Sequence, residues 1–358
     1  MGIGLFSPRR IGGGTGKDNK ARWYKGGGSK AIRYWIKSNK KIICEYWIVG
    51  GGGGGGAWAG GGGGGGGGVM QGSFPILADV YYVVEIGAGG TSPTGQFSVN
   101  TAGVKSSFYE WQDPPVSAKI PSLNSQRGLA QFGRGLVNDI VAAGGGKGGG
   151  DAGAPGDGGS GGGSGRQNSA TGALGNSLGW YGSEAFGGDA VTGYSGGNAN
   201  QAQYGVGGGG GGAGVAGNNG TGNPGTGGKG GDGIIGGASG TVYGGGGGGG
   251  NHNPSGTGGA GGTGGGGAAQ SGCLNAIAGT TNTGGGGGGA SGTAFICGQR
   301  GGPGGSGRCQ LRFLTADLAG LIYTSSIAPT EFAVYGAYSV FTCNSTATFM
   351  FSSRGGAY

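Results

Sequence analysis

One histidine, His252, five scattered cysteines and a handful of isolated carboxylates are the reactive side chains this chain offers, and their placement argues against enzyme chemistry. A nucleophilic triad needs a base held beside its nucleophile, yet His252 stands in a Gly/Asn-rich stretch close to Pro254. Two carboxylates would suffice for glycoside hydrolysis. Asp151, Asp157, Glu184, Asp189 and Asp232, however, have no apolar surroundings that would raise a pKa, so they read as solvated loop charges. Lys147, between Gly144–Gly146 and Gly148–Gly150, imitates a phosphate loop but lacks the GK[ST] ending and a helix after it. Cys44, Cys273, Cys297, Cys309 and Cys343 form no CxxC pair and are odd in number. They read as buried thiols of a protein assembled in a reducing cytoplasm. With one histidine, a Cys/His zinc site is not expected. The reading is of a non-enzymatic protein with no cofactor and no metal.

Binding chemistry fares better. Trp58, Trp180, Tyr181, Phe186, Tyr194, Tyr204 and Tyr243 stand singly or in pairs within polar, glycine-rich stretches. Aromatic rings on a rigid scaffold give large contact area at small entropic cost, and stacking on sugars or on loops of an outer-membrane protein both fit. The competing reading is that the rings plug the scaffold or face a sister subunit. Trp180-Tyr181, beside Glu184 and Asp189, is the strongest single candidate.

Charge is concentrated elsewhere. Of 22 basic residues, eleven precede Ile42: Arg9, Arg10, Lys17, Lys20, Arg22, Lys25, Lys30, Arg33, Lys37, Lys40 and Lys41, opposed only by Asp18. Interleaved with Trp23, Tyr24, Tyr34 and Trp35, such an arm suits phosphate neutralisation and base stacking. It equally suits docking on an acidic protein surface. The chain beyond Lys41 is near neutral, which favours docking over nucleic acid.

Positioning these groups falls to glycine, 112 of the 358 residues, gathered in runs such as Gly50–Gly56, Gly60–Gly68, Gly207–Gly212, Gly244–Gly250 and Gly284–Gly289. Low hydrophobicity with abundant Gly and Ser ordinarily means disorder. The alternative is that extended, polyproline-II-like glycine helices pair sideways into a bundle, their backbones forming the core. Collagen is rejected, because the glycine phase slips and proline is sparse. Apolar, β-branched segments surround the runs: Ala31–Lys37, Ile42–Val49, Val80–Ile86, Gln96–Val99 and Lys105–Trp111 early, then Cys309–Leu314, Leu321–Ser326, Glu331–Phe341 and Thr346–Ser352 late. Leu129–Ala143 carries a weak helical spacing. The expected fold is mainly β or irregular: a polyglycine-II helix bundle with interleaved loops, flanked by a small β-rich cap from both chain ends. The expected divisions are a basic arm (1–41), a β-rich segment with a first glycine hairpin presenting Trp58 (42–143), the glycine-rich bundle (144–307) and a β-rich C-terminal segment (308–358). No leader peptide and no apolar run of membrane-spanning length is visible, so a soluble protein without membrane insertion is expected.

Five landmarks in order carry a resemblance: Tyr46–Gly56, Gly60–Gly68, Val83–Gly90, Thr241–Gly250 and Thr281–Gly289. Over roughly residues 42–307 the chain resembles the glycine-rich domains of bacteriophage tail-fibre and other virion appendage proteins. More loosely, it is similar to tail-fibre adhesins whose polyglycine-II bundles hold variable loops at a distal tip. The resemblance implies a virion protein assembled in the host cytoplasm. Its partners would be capsid, tail or fibre subunits, a bacterial surface protein or polysaccharide, and further copies of itself, with docking through residues 1–49 expected from the charge of the arm and not from the resemblance. Two classes follow, a host-recognition adhesin or a purely structural virion protein. Two features depart from the family: the basic arm, and Tyr338–Phe351, which looks like a strand pair expected ahead of the first glycine run.

Overall fold

The computed structural model describes residues 41–352 apart from 59, 93–99, 111–139, 151–152, 167–171, 174–179, 182–187, 192, 201–204, 223–224, 238, 254, 273, 293–299, 327–328 and 330. The strands expected at Ala31–Lys37 and Gln96–Val99, and most of the helical spacing at Leu129–Ala143, lie outside the described residues.

Alternation builds the first strand, β1 (Lys41–Val49): Ile42, Cys44, Tyr46 and Ile48 are buried, while Lys41 and Ile43 are exposed. The early strands continue with β2 (Val69–Leu77), β3 (Tyr81–Glu85), β4 (Ser106–Glu110), β5 (Ile140–Ala142), β6 (Trp180–Tyr181) and β7 (Gly188–Val191). Two small hairpins follow, β8 (Thr221–Gly222) with β9 (Gly225–Thr226), and β10 (Ile234–Gly236) with β11 (Thr241–Tyr243). The late strands are β12 (Arg308–Leu314), β13 (Ile322–Ser325), β14 (Glu331–Tyr335), β15 (Tyr338–Cys343) and β16 (Ala347–Ser352). One short helix, α1 (Thr315–Leu318), is found among the described residues.

Two six-stranded sheets organise these elements, in the orders β14-β15-β12-β1-β2-β7 and β13-β16-β3-β4-β5-β6. Each mixes strands from the two parts of the chain. β1 lies between β2 and β12, with Tyr46 opposite Gly72 on one side and Leu311 on the other. β3 lies between β4 and β16. The sheets face each other across aromatic contacts, with ring centroids 4.9 Å apart for Phe74 and Phe108, 5.1 Å for Phe313 and Phe351, and 4.8 Å for Tyr323 and Phe341. This layer is the main hydrophobic core. The three described cysteines, Cys44, Cys309 and Cys343, are free thiols within it, Cys309 opposite Cys343 on neighbouring strands. Burial pushes all three thiols up, that of Cys343 to about 11, so they remain protonated and inert. Cys273 and Cys297 lie outside the described residues.

From the sheets the chain runs straight into glycine. Successive N–H groups of Gly50, Gly51 and Gly52 donate to the carbonyls of Gly68, Val104 and Gly305, at 3.0, 2.9 and 2.9 Å. Gly53, Gly54 and Gly55 then repeat the circuit to Gly65, Thr101 and Gly302. The backbone groups of these buried segments are thus paired between segments, as burial demands. The runs carry no regular element of their own.

The expected fold is corrected on this point. The regular architecture is β-rich, built on two extensive sheets with almost no helix; no polyglycine-II helix bundle is evident, and the sandwich is far larger than a cap. The physical reason lies in pairing between segments far apart in the chain. Short stretches such as Ile140–Ala142 and Gly188–Val191 become strands because a sheet edge is available to them, which glycine content does not reveal.

Candidate functional site

β1 feeds Gly50–Gly56 away from the sandwich, and Gly61–Gly68 returns into β2, so the turn between them is the far end of a long excursion. Trp58 sits in that turn. It has φ +67°, the left-handed region that a bulky side chain rarely adopts. The turn is closed by the Gly61 N–H donating to the Trp58 carbonyl at 3.0 Å and reopened by Gly60 at φ +76°. Backbone strain of this kind persists only where its surroundings hold it in place.

Two further groups join the turn from distant sequence. The Arg166 N–H donates to the Gly60 carbonyl at 3.1 Å, and the Arg166 side chain lies over Gly205, where any Cβ would strike it. The His252 N–H donates to the Gly205 carbonyl at 3.3 Å. Burial, with the nearby positive charge of Arg166, holds the His252 imidazole below its ordinary pKa, so it is neutral at pH 7. Arg166 and His252, both half-buried like Trp58, are thus tied through the backbone of Gly60 and Gly205 to the turn that carries Trp58. These groups can stack and hydrogen-bond. Among the described residues no group of three His, Cys, Asp or Glu side chains is placed to hold a metal ion. Nor, among them, is any helix long and apolar enough to cross a membrane.

The other candidates are dispersed. Trp180-Tyr181 forms β6, at the edge of the second sheet opposite Val141 and Ile140, on the sandwich and away from Trp58. Tyr194 is 44% exposed, its backbone bonded to Gly212 and Gly161. Phe186 and Tyr204 lie outside the described residues, as do Arg9, Arg10, Lys17, Lys20, Arg22, Lys25 and Arg33 of the arm. Tyr243 is buried in a small cluster with Val49, Val69 and Ala213, where strands give way to glycine, and is no surface group. Around Lys147, the N–H groups of Gly145, Gly146 and Gly148 are committed to the carbonyls of Gly51, Ser160 and Gly54 and offer no phosphate cradle.

Asp232 is paired. The Lys229 Nζ lies 2.9 Å from its Oδ2 and the Thr263 N–H donates to its Oδ1 at 2.8 Å, which hold the carboxyl below its ordinary range. With the folded pKa depressed, this contribution is present above the unfolded pKa and is lost as pH falls through the folded one. Asp232→Asn is expected to cost under about 1 kcal/mol near neutrality, because the pair is half-exposed. The gap should close in acid when urea unfolding of both proteins is compared across pH.

One constellation carried no signal in the sequence. On the outward face of the first sheet the Arg312 guanidinium lies 5.1 Å from the Trp47 ring centroid and 4.6 Å from that of Tyr338, and its Nε donates to Glu45 at 2.6 Å. Only the antiparallel register, which sets Glu45 opposite Arg312, brings these residues together.

A family model described as a glycine-rich domain matches residues 29–314. No curated protein matches the chain.

Proposed function

The chain belongs to the glycine-rich domain family, and from that premise we propose that it is a non-enzymatic bacteriophage fibre or tail protein, a host-recognition adhesin displaying loops on a glycine-rich scaffold. In this reading it resides in the virion, docks on other virion subunits through its basic residues 1–49, and meets a bacterial surface protein or polysaccharide at the opposite end. The observation that carries the proposal is Trp58. A bulky aromatic at positive φ, in the turn at the end of the glycine excursion and tied through Gly60 to Arg166, supports that reading.

The test uses fluorescently labelled full-length protein on a panel of bacterial strains, read by flow cytometry. Strain-restricted binding is expected, falling at least tenfold in Trp58→Gly. Glycine adopts the turn freely, relieving about 1 kcal/mol of backbone strain, so the melting temperature should hold or rise while binding falls. Binding to no strain, with the protein nonetheless incorporated in particles, would favour the purely structural virion role.

A further inference from the structure

The outward face of the first sheet carries a recess that none of the foregoing uses. The turn of the β10–β11 hairpin, with Gly237 at φ +74°, stands over β12, β14 and β15 and leaves a cavity of about 40 Å³. Its wall is polar: Ser239 from the turn, Arg308 and Gln310 from β12, Thr342 from β15. Ala333 and Val340 supply an apolar floor, and Tyr335, 51% exposed, stands at the rim.

Gln310 is the telling residue. It is only 5% exposed. Its Nε2 donates to the Thr342 hydroxyl at 3.2 Å, while its buried Oε1 has no partner. A buried amide oxygen without a donor costs stability and calls for an explanation. The oxygen is packed against Gly237, where a Cβ would collide with it, so glycine is the residue that leaves room for the Gln310 amide at the recess wall. Arg308 reaches the Tyr243 hydroxyl at 3.3 Å and lies over that ring, which fixes its guanidinium at the recess.

We propose that this recess is a saccharide-binding site that takes two adjacent hydroxyls of a neutral sugar ring, with the ring face resting on Tyr335. The chemistry selects that class. Planar guanidinium and amide groups match the spacing of vicinal hydroxyls, which both donate and accept. Gln310 Oε1 requires a donor, which a carboxylate or a phosphodiester lacks. The volume admits a pair of hydroxyls and excludes a whole ring, so the remainder must lie at the rim, where an exposed tyrosine offers an apolar face. The site lies on the sandwich, away from Trp58, and stands or falls independently of the adhesin reading.

Saturation-transfer NMR of the full-length protein with methyl α-glucoside, α-galactoside and α-mannoside, and with glucuronate as the anionic comparator, tests this. Millimolar binding of at least one neutral glycoside is expected, weakened at least tenfold by Gln310→Met and about threefold by Tyr335→Ala. Tyr335 is exposed on an edge strand, so its variant stays folded and keeps the test open if Gln310→Met does not. Binding of none of the neutral glycosides, binding of glucuronate alone, or binding unchanged in the folded variants would each overturn the proposal.

Discussion

Replacing Gly64 by valine is expected to destabilise the fold severely. Gly64 lies in the returning run with its N–H bonded to the Gly287 carbonyl and its own carbonyl accepting from Gly247, both at 2.8 Å. A Cβ built there falls on the carbonyl oxygen of Gly53, with its carbon and the carbonyl carbon of Gly54 also close. These obstacles are backbone, held in hydrogen bonds of their own, and cannot turn aside as a side chain would. Overpacking a site whose neighbours can shift already costs typically 1–3 kcal/mol. Here two hydrogen-bonded backbone runs would have to separate, so the loss should exceed about 3 kcal/mol, a large share of the 5–15 kcal/mol that holds an ordinary domain together. Gly153→Ala is the control, because only the far end of the Lys147 side chain approaches the new methyl group, and φ there is not in the left-handed region. Its effect should stay within about 0.5 kcal/mol. Soluble yield and thermal melting by circular dichroism separate the two. A folded Gly64→Val with the melting point of the parent would mean the runs are not packed backbone to backbone.

The strands were readable wherever β-branched and aromatic residues gather. Ile42–Val49, Val80–Ile86, Lys105–Trp111 and Cys309–Leu314 each coincide with a strand to within a residue or two, although only the first alternates cleanly between buried and exposed positions. The stretch Glu331–Phe341 hides two strands, parted by a turn with Gly336 at φ +58°. β2 was not legible at all, since Gly72 and Pro75 interrupt its pattern. Both are tolerated. Pro75 lies beyond the segment paired with β7, which ends at Gly72 opposite Gly188, where a missing N–H is least disruptive. The architecture escaped the sequence for a related reason. Which segment covers which edge depends on pairings such as β1 with β12, more than 250 residues apart in the chain, and nothing local encodes them.

The candidate site was legible in part. Trp58 stood out by residue type and by its place between two glycine runs. Its positive φ, and the company of Arg166 and His252, follow from tertiary bonds to Gly60 and Gly205 that no motif announces. Tyr243 misled for the opposite reason: an aromatic beside a glycine run looks displayed, yet the hairpin turns it onto Val49 and Val69. Gln310 gave no signal, because a glutamine in a strand of mixed character is ordinary until its amide is buried.

Phe108→Ala is expected to destabilise the sandwich by about 3–5 kcal/mol. The ring is wholly buried in β4 and touches both sheets: Phe74 of β2 at 4.9 Å, with Tyr82 of β3 and Phe349 of β16 at 5.8 and 5.9 Å between centroids. Truncation removes the transfer free energy of the ring and leaves a void that stiff neighbours on two hydrogen-bonded sheets cannot fill. The loss should appear in urea unfolding as a lower midpoint with an unchanged slope. Phe332→Ala makes the contrast. That ring packs on Phe341 at 4.9 Å yet is 56% exposed on the edge strand β14, so its loss should cost about 1 kcal/mol or less. If the two substitutions cost the same, the sandwich is not the cooperative unit, and the glycine runs rather than the aromatic layer set the stability of the chain.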